Sequence, residues 1–444
     1  MIIYCHNYTI SKHMKNKEIN LSSASLDEKK DVIEEEVKEE KPKDGKKTIK
    51  EKISQLIKDL RIWWDAAPKK KKILVVAIPA LLILGLSSFF FYYTIYGPRN
   101  RPPQLLSIDT NYIPPKFEER KLDNFKFLTL SEPSVPRTEE SPINGRLFTR
   151  EEMEELKERR PIAAIISNHI QARPTSNLNK ADLVYEALVE GGITRFLAIY
   201  WSNEPNKVGP MRSARQYYLE WLNPFDPLFV YDGFAASSDP RVDARGNISR
   251  YGLKSIATAG AWRVSERVAP HNEYFSTIKT WEIAQERGWE GFPEIEPWKF
   301  KSDDSLDNRG NRFKGKILFS NSENYNVIWD YDKATNRYYR SIGGVPDKDL
   351  ETGQQISAKN VIIQQVNVQG PVDNYNRLVI TTTGSGSAAI LQDGKVIYGK
   401  WEKDDRTSRT KYYDGNNQEI EFNRGLTWIS SVRQLQQNFD IIEQ

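Results

Sequence analysis

The feature that most constrains this chain is an apolar run, ILVVAIPALLILGLSSFFFYYTIY, which occupies residues 73–96 and carries no charged side chain. A helix needs about 20 apolar residues to cross the hydrocarbon of a bilayer. Pro79 and Gly85 are tolerated in membrane helices, and the aromatic end is typical of an interfacial belt. A cleaved signal peptide is the alternative, but the run is too long and begins too far along the chain. We therefore expect a single transmembrane helix over residues 73–96.

Charged residues on the two sides of this run indicate its orientation. Four lysines, residues 69–72, precede it, whereas Arg99 and Arg101 follow it. The positive-inside rule places the lysine side in the cytoplasm, so everything after about Gly97 is expected to be extracytoplasmic. Residues 1–72 are polar and lysine-rich, which predicts a disordered cytoplasmic tail. The chain as a whole has a net charge of only +4, so its charge does not indicate a nucleic-acid partner.

Within the tail, residues 49–64 show a helical apolar stripe beside basic residues. Lys52, Lys58 and Arg61 lie off the stripe. The stripe consists of Ile49, Ile53, Leu56, Ile57, Leu60, Trp63 and Trp64. This pattern predicts a juxtamembrane basic amphipathic helix on the inner leaflet, with a weakly structured lysine-rich spacer as the alternative.

The region beyond the apolar run begins as a spacer. Residues 97–140 contain repeated prolines, as in GPRNRPP and SEPSVP, which is typical of a stalk. The one cysteine, Cys5, belongs to the tail, so the exterior region must fold without disulfides.

Apolar runs then alternate with turn signals. We expect strands at 161–167, 194–201 and 227–232 and helices at 178–190 and 212–222, which predicts an α/β domain over 141–300 with a parallel-type sheet. Short β-rich runs fill the chain from residue 315, separated in places by Asp-Gly turns, and predict a mostly β domain over 315–440. GSGSAA at 384–389 is interpreted as a bulge or turn. The expected fold class is mixed α+β.

Ligands in open α/β sheets bind beyond the carboxyl ends of the strands, and polar residues follow three predicted strands. Arg212 is expected near the first turn of its helix, where the helix dipole favours an anion. Arginines at this place suit a phosphate, a pyrophosphate or a carboxylate. The candidate ligand-binding residues are Asn168, His169, Arg173, Arg195, Arg212, Ser213, Arg215, Asp232, His271 and Asn272.

Each of these assignments has a structural alternative. The acids of the predicted helix 178–190 lie four residues apart and could pair with Arg195, Arg212 or Arg215 as plain salt bridges. They are Asp182, Glu186 and Glu190.

Single histidines are more often structural than catalytic, although both histidines beyond the span lie in polar contexts and could transfer protons. The usual nucleophile, phosphate-loop and metalloprotease motifs are missing, and Ser213 has no base placed beside it by sequence. A metal could draw on two histidines and Asp232, Asp239 or Asp243, but no ligand spacing is visible. We therefore expect no cofactor and no metal, and the sequence does not decide whether the protein is an enzyme.

Several motifs together resemble one known family. RPIAAIISNHIQARPTSNLNKADLVYEALVEGGITRFLAIY, KVGPMRSARQYYLEW and APHNEYFST are similar to the first domain of the YerB-like family, which comprises bacterial envelope proteins of unknown function. NVIIQQV, TTTGSGSAAILQDGKVIYGKWEK and GLTWISSV resemble its C-terminal domain. The resemblance covers about residues 141–436 and implies an envelope location. Family members include lipoproteins anchored through a lipid-modified cysteine, whereas no cysteine follows the apolar run here.

Two functional hypotheses follow. The first is a membrane-tethered binding protein whose Arg/His pocket captures a phosphate-bearing or cell-wall ligand. The second is an enzyme acting on phosphate-linked wall precursors, since the layout is similar in outline to the LytR-CpsA-Psr glycopolymer transferases. The arginine-aspartate motif of those enzymes is not reproduced around Arg212.

Overall fold

The computed structural model describes residues 49–68, 87–88, 128–132 and 134–443. Apart from residues 87 and 88, the predicted transmembrane segment 73–96 lies outside the described residues, as do residues 1–48 of the tail and most of the predicted stalk. No helix within the described ranges is both long and apolar enough to cross a membrane. The chain divides into two units, residues 1–102 and 103–444, which are described separately.

The first unit contains the helix predicted near the apolar run. This helix, α1, extends over Ile49–Ala66, which confirms the helical conformation but does not test its membrane contact. Ile53, Ile57 and Leu60 are each more than half exposed.

The second unit contains short helices and many strands. Its helices are α2 (Arg150–Lys157), α3 (Gln216–Leu222), α4 (Ala244–Arg250), α5 (Thr277–Glu286) and α6 (Leu435–Asn438). Its strands up to residue 301 are β1 (Glu139–Glu140), β2 (Leu147–Phe148), β3 (Ile162–Ser167), β4 (Leu183–Leu188), β5 (Thr194–Tyr200), β6 (Leu228–Val230), β7 (Lys254–Ala257), β8 (Trp262–Arg263), β9 (Glu273–Tyr274) and β10 (Lys299–Lys301). The later strands are β11 (Phe313–Leu318), β12 (Asn326–Asp332), β13 (Arg337–Ile342), β14 (Val345–Pro346), β15 (Ser357–Ala358), β16 (Asn360–Gln365), β17 (Val368–Gln369), β18 (Val379–Ile380), β19 (Gly384–Gln392), β20 (Lys395–Lys403), β21 (Lys411–Asp414), β22 (Glu421–Asn423), β23 (Thr427–Val432) and β24 (Phe439–Glu443). The mixed α+β class and the mostly β C-terminal region are thus confirmed.

A ten-stranded sheet runs through the second unit in the order β21-β20-β19-β16-β23-β4-β5-β3-β6-β7. Strands from both predicted regions, 141–300 and 315–440, join it, because β23 pairs in parallel with β4. The expected parallel-type arrangement is only partly correct. β3 pairs in parallel with β6, but β5 lies antiparallel between β3 and β4. The sheet is therefore mixed.

The segment predicted as a helix at 178–190 is instead mainly strand β4, with a short 3-10 turn at Leu178–Lys180 before it. All six residues of β4 are buried, as expected for a central strand covered on both faces. The helical pattern came from acids four residues apart. Two of them, Asp182 and Glu186, are buried and satisfied by hydrogen bonds rather than exposed on a helix face.

The core occupies both faces of this sheet. On one face, side chains such as Ile166 and Phe196 pack with Trp329 and Tyr338 of a second sheet, ordered β14-β13-β12-β11-β24 with β15 paired to β13. On the other face, alternate residues pack against helices that include α2 and α3. The result is three layers, and the Arg/His residues lie at one edge of the middle one.

Two local predictions had different outcomes. GSGSAA is not a bulge or turn, because Gly384 begins the nine-residue strand β19. The Asp393-Gly394 pair does form the hairpin turn between β19 and β20, with positive φ at both residues. The end of the predicted stalk packs onto the second unit, where the Leu128 N–H donates to Glu204 (2.9 Å) and the Ser131 N–H to Glu152 (2.9 Å).

Candidate functional site

The site is built on a segment, residues 208–214, that lies beside the carboxyl end of β3. The Arg212 N–H donates to the Ile165 carbonyl (2.8 Å), and the Ser167 N–H donates to the Pro210 carbonyl (2.8 Å). On its other side, the Met211 N–H donates to the Glu273 carbonyl (2.7 Å). Residues following β3 and β6 and residues preceding β9 are thereby brought to one edge of the sheet.

The predicted helix start at residue 212 is wrong, because α3 begins at Gln216. The Arg212 and Ala214 N–H groups donate to Ile165 and Gly233, so this stretch stays extended. Arg212 consequently does not lie on a helical first turn, and the helix dipole contributes no anion site there.

Gly209 makes the close approach of this segment possible. Its φ of +152° is rarely adopted by other residues. A Cβ atom at this position would lie 2.8 Å from Tyr274 Cδ1 and 2.9 Å from the Glu273 carbonyl oxygen. Any side chain would therefore separate residues 208–214 from β9.

His169 and His271 stack on each other, with ring centroids 4.4 Å apart and an interplanar angle of 12°. His169 Nδ1 accepts a hydrogen bond from the Gln171 N–H (3.2 Å), so a neutral His169 carries its proton on Nε2. His271 is only 6% exposed, and its Nδ1 has no hydrogen-bond partner among the residues that the structure describes. The pair thus contains one buried ring nitrogen whose hydrogen-bonding capacity the described residues leave unsatisfied.

Burial and nearby positive charge both favour the neutral form of the two imidazoles. Burial, followed by the charges of Arg212 and Arg173, lowers the pKa of His169. Burial, followed by His169 and several guanidiniums of which Arg212 is the strongest, lowers the pKa of His271 to about 4. The other guanidiniums are those of Arg267 and Arg195.

Arg212 differs from the other arginines of the site in its contacts. It is partly buried, and its guanidinium makes no hydrogen bond or ion pair with any part of the chain that the structure describes. Burial lowers its pKa; the charge of Asp232 opposes this, while Arg215 and Arg263 add to the lowering. A partly desolvated charge with cationic neighbours favours an anion from solution.

Arg215 behaves as the salt-bridge alternative predicted. Its Nε and Nη2 atoms donate to the two carboxylate oxygens of Glu190, at 2.6 and 2.7 Å. Its Nη1 atom donates to the Ala214 carbonyl (2.9 Å). The two arginines of the RSAR motif therefore have different environments, and Arg215 is already occupied.

Arg195, Arg173 and Asn168 support the site rather than line it. Arg195 is buried and donates to the Ser213 carbonyl, and burial lowers its pKa to about 10. Arg173 donates one hydrogen bond to Asn168 Oδ1 (2.9 Å) and another to the carbonyl of Asn324 (2.8 Å). Asn168 is buried, and its amide donates to Thr194 (2.6 Å). These contacts fix the loop that carries His169.

Asp232 and Asn272 both contact Arg263, an arginine that sequence reasoning did not single out. Arg263 donates to Asn272 Oδ1 (2.9 Å), and its Nη2 atom lies 3.3 Å from Asp232 and also bonds Glu273. Burial, followed by the hydrogen bond and charge of Asp232, raises the pKa of Glu273 to about 7. The sequence feature that could have identified Glu273 as a site residue is its position directly after His271 and Asn272 in the APHNEYFS motif.

The remaining candidates add little chemistry. Ser213 supplies its carbonyl to Arg195, and a Cβ at Gly233 would lie 3.0 Å from its Oγ atom. Within the described ranges, no group of three or more His, Cys, Asp or Glu side chains could hold a metal ion. Two cavities, of 40 and 430 Å³, are lined by other residues, among them Trp281 and Arg409 respectively. The site is thus a polar edge outside these cavities.

Comparison with known proteins gives consistent matches. Residues 148–290 match the family described as "Protein of unknown function (DUF3048) N-terminal domain", and residues 316–429 match its C-terminal domain. The chain is 32% identical over 305 residues to "Putative lipoprotein YerB" of Bacillus subtilis (strain 168), covering 68% of this chain and 89% of that protein. It is also similar to the crystal structure of the YerB protein from Bacillus subtilis, with a TM-score of 0.61 and 30% identity over 69% of this chain and all of that one.

Proposed function

Because this chain belongs to the YerB-like family of paired DUF3048 domains, we propose that it is a membrane-anchored envelope protein that binds a phosphate-type anion through Arg212, His169 and His271. The relative's description as a lipoprotein supports an envelope location.

The observation that carries the proposal is that, among the described residues, neither the Arg212 guanidinium nor the nearby Nδ1 of His271 has a hydrogen-bond partner. Removing a charge from water without a partner is costly, and burying an unpaired polar atom costs about 1–3 kcal/mol. Arg173 and Arg212 both lower the pKa of His169, so the local potential is positive. A bound anion would supply the missing counter-charge and accept hydrogen bonds from these groups.

The donors favour a phosphate group. A guanidinium offers a planar fork that matches two oxygens of a phosphate or a carboxylate. The Nε2–H of a neutral His169 adds a donor from another direction, and a phosphate has oxygens to spare for it. We therefore propose a phosphate- or pyrophosphate-bearing envelope ligand, such as a cell-wall precursor.

The proposal that the protein is anchored in the membrane is based on the amino-acid sequence. The run 73–96 would span the membrane, with the lysines of residues 69–72 on the cytoplasmic side and the second unit outside. The exposed apolar residues of α1, with its basic residues, would lie on the inner leaflet. External protease on spheroplasts should then digest the second unit and leave an N-terminal fragment, and protection of the second unit would contradict this orientation.

An enzymatic role is the second candidate, and the carboxyl pair of Asp232 and Glu273 favours it. A protonated carboxyl near a bound phosphate is a suitable general acid for a leaving oxygen. An enzyme would release product from phosphate-linked wall precursors, and Glu273→Gln would abolish that release. Binding without turnover supports the first candidate.

The anion proposal is tested with a fragment, residues 128–444. Residues 103–444 form one compact unit, and a related chain that matches 69% of this one over its full length has been crystallised, so the fragment is expected to fold. Isothermal titration with phosphate, pyrophosphate and sulfate is compared for wild type and Arg212→Ala. Each charge-assisted contact contributes roughly 1.5–3 kcal/mol, so the variant should bind about 10- to 100-fold more weakly.

The matched control is Arg150→Ala, because Arg150 is an exposed surface arginine paired with Glu154. It should bind as wild type does. Lysine at position 212 should restore little affinity, since it loses the planar fork. If wild type binds none of the anions, or Arg212→Ala binds equally well, the proposed function is wrong.

A further inference from the structure

The acidic residues beside the anion site form a distinct group, which we name the acid pair: Asp232 and Glu273. Both carboxyl groups approach the same nitrogen, Nη2 of Arg263. The Glu273 side chain is only 9% exposed and that of Asp232 24% exposed. Two carboxylates on one guanidinium nitrogen would leave one negative charge unbalanced in a partly desolvated place.

The acid pair is connected to Arg212 through the backbone and through charge. The Asp232 N–H donates to the Arg212 carbonyl (3.1 Å), and the Glu273 carbonyl accepts from Met211. The charge of Asp232 also acts on the Arg212 guanidinium. Because Asp232 acts both on Glu273 and on Arg212, we expect a charge change in the acid pair to affect an anion held at Arg212.

The groups that face Glu273 come from three elements. Arg263 comes from the paired strand β8, Asp232 from the loop after β6, and Asn272 and His271 precede Glu273 on its own segment. Arg263 favours the ionised form of Glu273, whereas burial and Asp232 favour the protonated form, and the second effect is larger.

We propose that the acid pair holds one proton that is coupled to the anion site, so that the protein binds its anion together with a proton. This inference rests on the proposed function, since it assumes an anion at Arg212. With Glu273 protonated, the acid pair and Arg263 are neutral overall. With Glu273 ionised, they carry a net negative charge that repels the anion.

Linkage fixes the direction of the effect. An anion at Arg212 stabilises the protonated acid pair, so protonation must strengthen anion binding by the same factor. Affinity is therefore high below the pKa of Glu273, which is about 7, and falls as the pH rises through it. The histidines act in the same direction, but the lowered pKa of His271, about 4, places its contribution at more acidic pH.

The test uses the full chain in a neutral detergent and sulfate as the anion, because sulfate keeps its charge between pH 6 and 8 whereas phosphate does not. Calorimetric titrations are run across this range at constant ionic strength. A nearby like charge changes affinity by about tenfold. Because the same coupling raises the pKa of Glu273 in the complex, part of this change falls above pH 8, and wild type should bind sulfate about fivefold more weakly at pH 8 than at pH 6, with proton uptake near pH 7.

Glu273→Gln is the informative variant, because glutamine imitates the neutral acid. It should bind at pH 8 as tightly as wild type does at pH 6, a gain that misfolding does not produce. Glu154→Gln, a change at an exposed glutamate, should keep the wild-type pH profile. Asp232→Asn should move the pH dependence to lower pH, because it removes the charge that holds the proton on Glu273.

The outcomes separate the two proposals. If sulfate binds, and Arg212→Ala weakens it, but wild type and Glu273→Gln have the same pH profile, the proton coupling is wrong and the anion site stands. If sulfate binds at no pH, both proposals are overturned.

Discussion

Two clusters of charged side chains lie near the same sheet, and their environments differ. The first, the interface cluster, consists of Glu186, Arg340 and Asp347, and its side chains are 0%, 0% and 7% exposed. Arg340 donates to both Glu186 oxygens, at 2.9 and 3.0 Å, and to Asp347. Glu186 also accepts from Trp428 (3.0 Å). Each charged side chain here is bonded to a partner of opposite charge, and the cluster joins the two sequence regions.

The second cluster, at the anion site, has the opposite character. Arg212 has no hydrogen-bonded or ion-paired acid within the described part of the chain, and burial and then positive charge lower the pKa values of the stacked histidines beside it. Its acidic neighbours, Asp232 and Glu273, are held by Arg263. The comparison teaches that burial of charge alone does not mark a functional site. The mark is a charged group that has no bonded partner in the described part of the chain.

The largest expected effect breaks the interface cluster. Arg340→Ala leaves Glu186 buried without its cation, so unfolding free energy should fall by about 3–5 kcal/mol, measured by urea denaturation of residues 128–444. The folded fraction should bind anions normally. As the control, Arg312→Ala removes an exposed ion pair with Asp330 and should cost less than about 1 kcal/mol. If both variants lose the same unfolding free energy, the interface cluster stabilises the protein no more than an exposed ion pair does.

A smaller effect is expected at Arg215, which shares the RSAR motif with Arg212 but resembles the interface cluster in being paired. Arg215→Ala should lower unliganded stability by roughly 1–2 kcal/mol, because it removes a charge-assisted, bidentate and mostly buried contact with Glu190. Arg215→Lys should restore part of this loss. Arg212→Ala should change unliganded stability little. A reversed pattern in thermal denaturation would mean that the roles of the two arginines have been exchanged.

The sequence predicted the edge of the sheet where the polar residues gather, but not their individual roles. Strands β3 and β6 were correctly placed, and the parallel pairing brings their carboxyl ends together. Strand β4 was mistaken for a helix, because a strand buried on both faces has no alternating pattern and its acids happened to recur every four residues. The pairing of β4 with β5 and β23, which the local sequence does not reveal, makes this segment a strand.

The same limit applies within the site. Arg212 and Arg215 are chemically identical in the sequence, and only their contacts in space distinguish them, above all the pairing of Arg215 with Glu190. Glu273 and Arg263 escaped notice because their importance depends on a contact across ten residues. The helix start was misplaced because long-range backbone bonds hold residues 212–214 extended.

The smallest expected effect concerns pH. The pKa of His271 is lowered to about 4, below its ordinary value, so the neutral imidazole contributes stability that is present above about pH 6.5 and is lost as the pH falls towards 4. His271→Gln should flatten the stability profile between pH 6.5 and 5, by at most about 1.4 kcal/mol per pH unit. Glu273 has the opposite sign, because its raised pKa makes stability fall as the pH rises towards 7. Urea denaturation midpoints of His271→Gln and Glu273→Gln are compared with those of wild type across pH 5–7.5. A change of the pH dependence in the direction opposite to the one stated would contradict the assignment for that residue.

The most direct test of the anion site is NMR of its two histidines, which are the only ones in residues 128–444. Their ring Cε1–H resonances are followed by titration from pH 4 to 7, with and without sulfate, in wild type and in Arg212→Ala. An anion beside the imidazoles should raise both pKa values, and the signals should move saturably with sulfate in wild type. Arg212→Ala should raise the pKa values without sulfate and remove the response to it. Histidine pKa values that sulfate leaves unchanged in wild type would contradict the account.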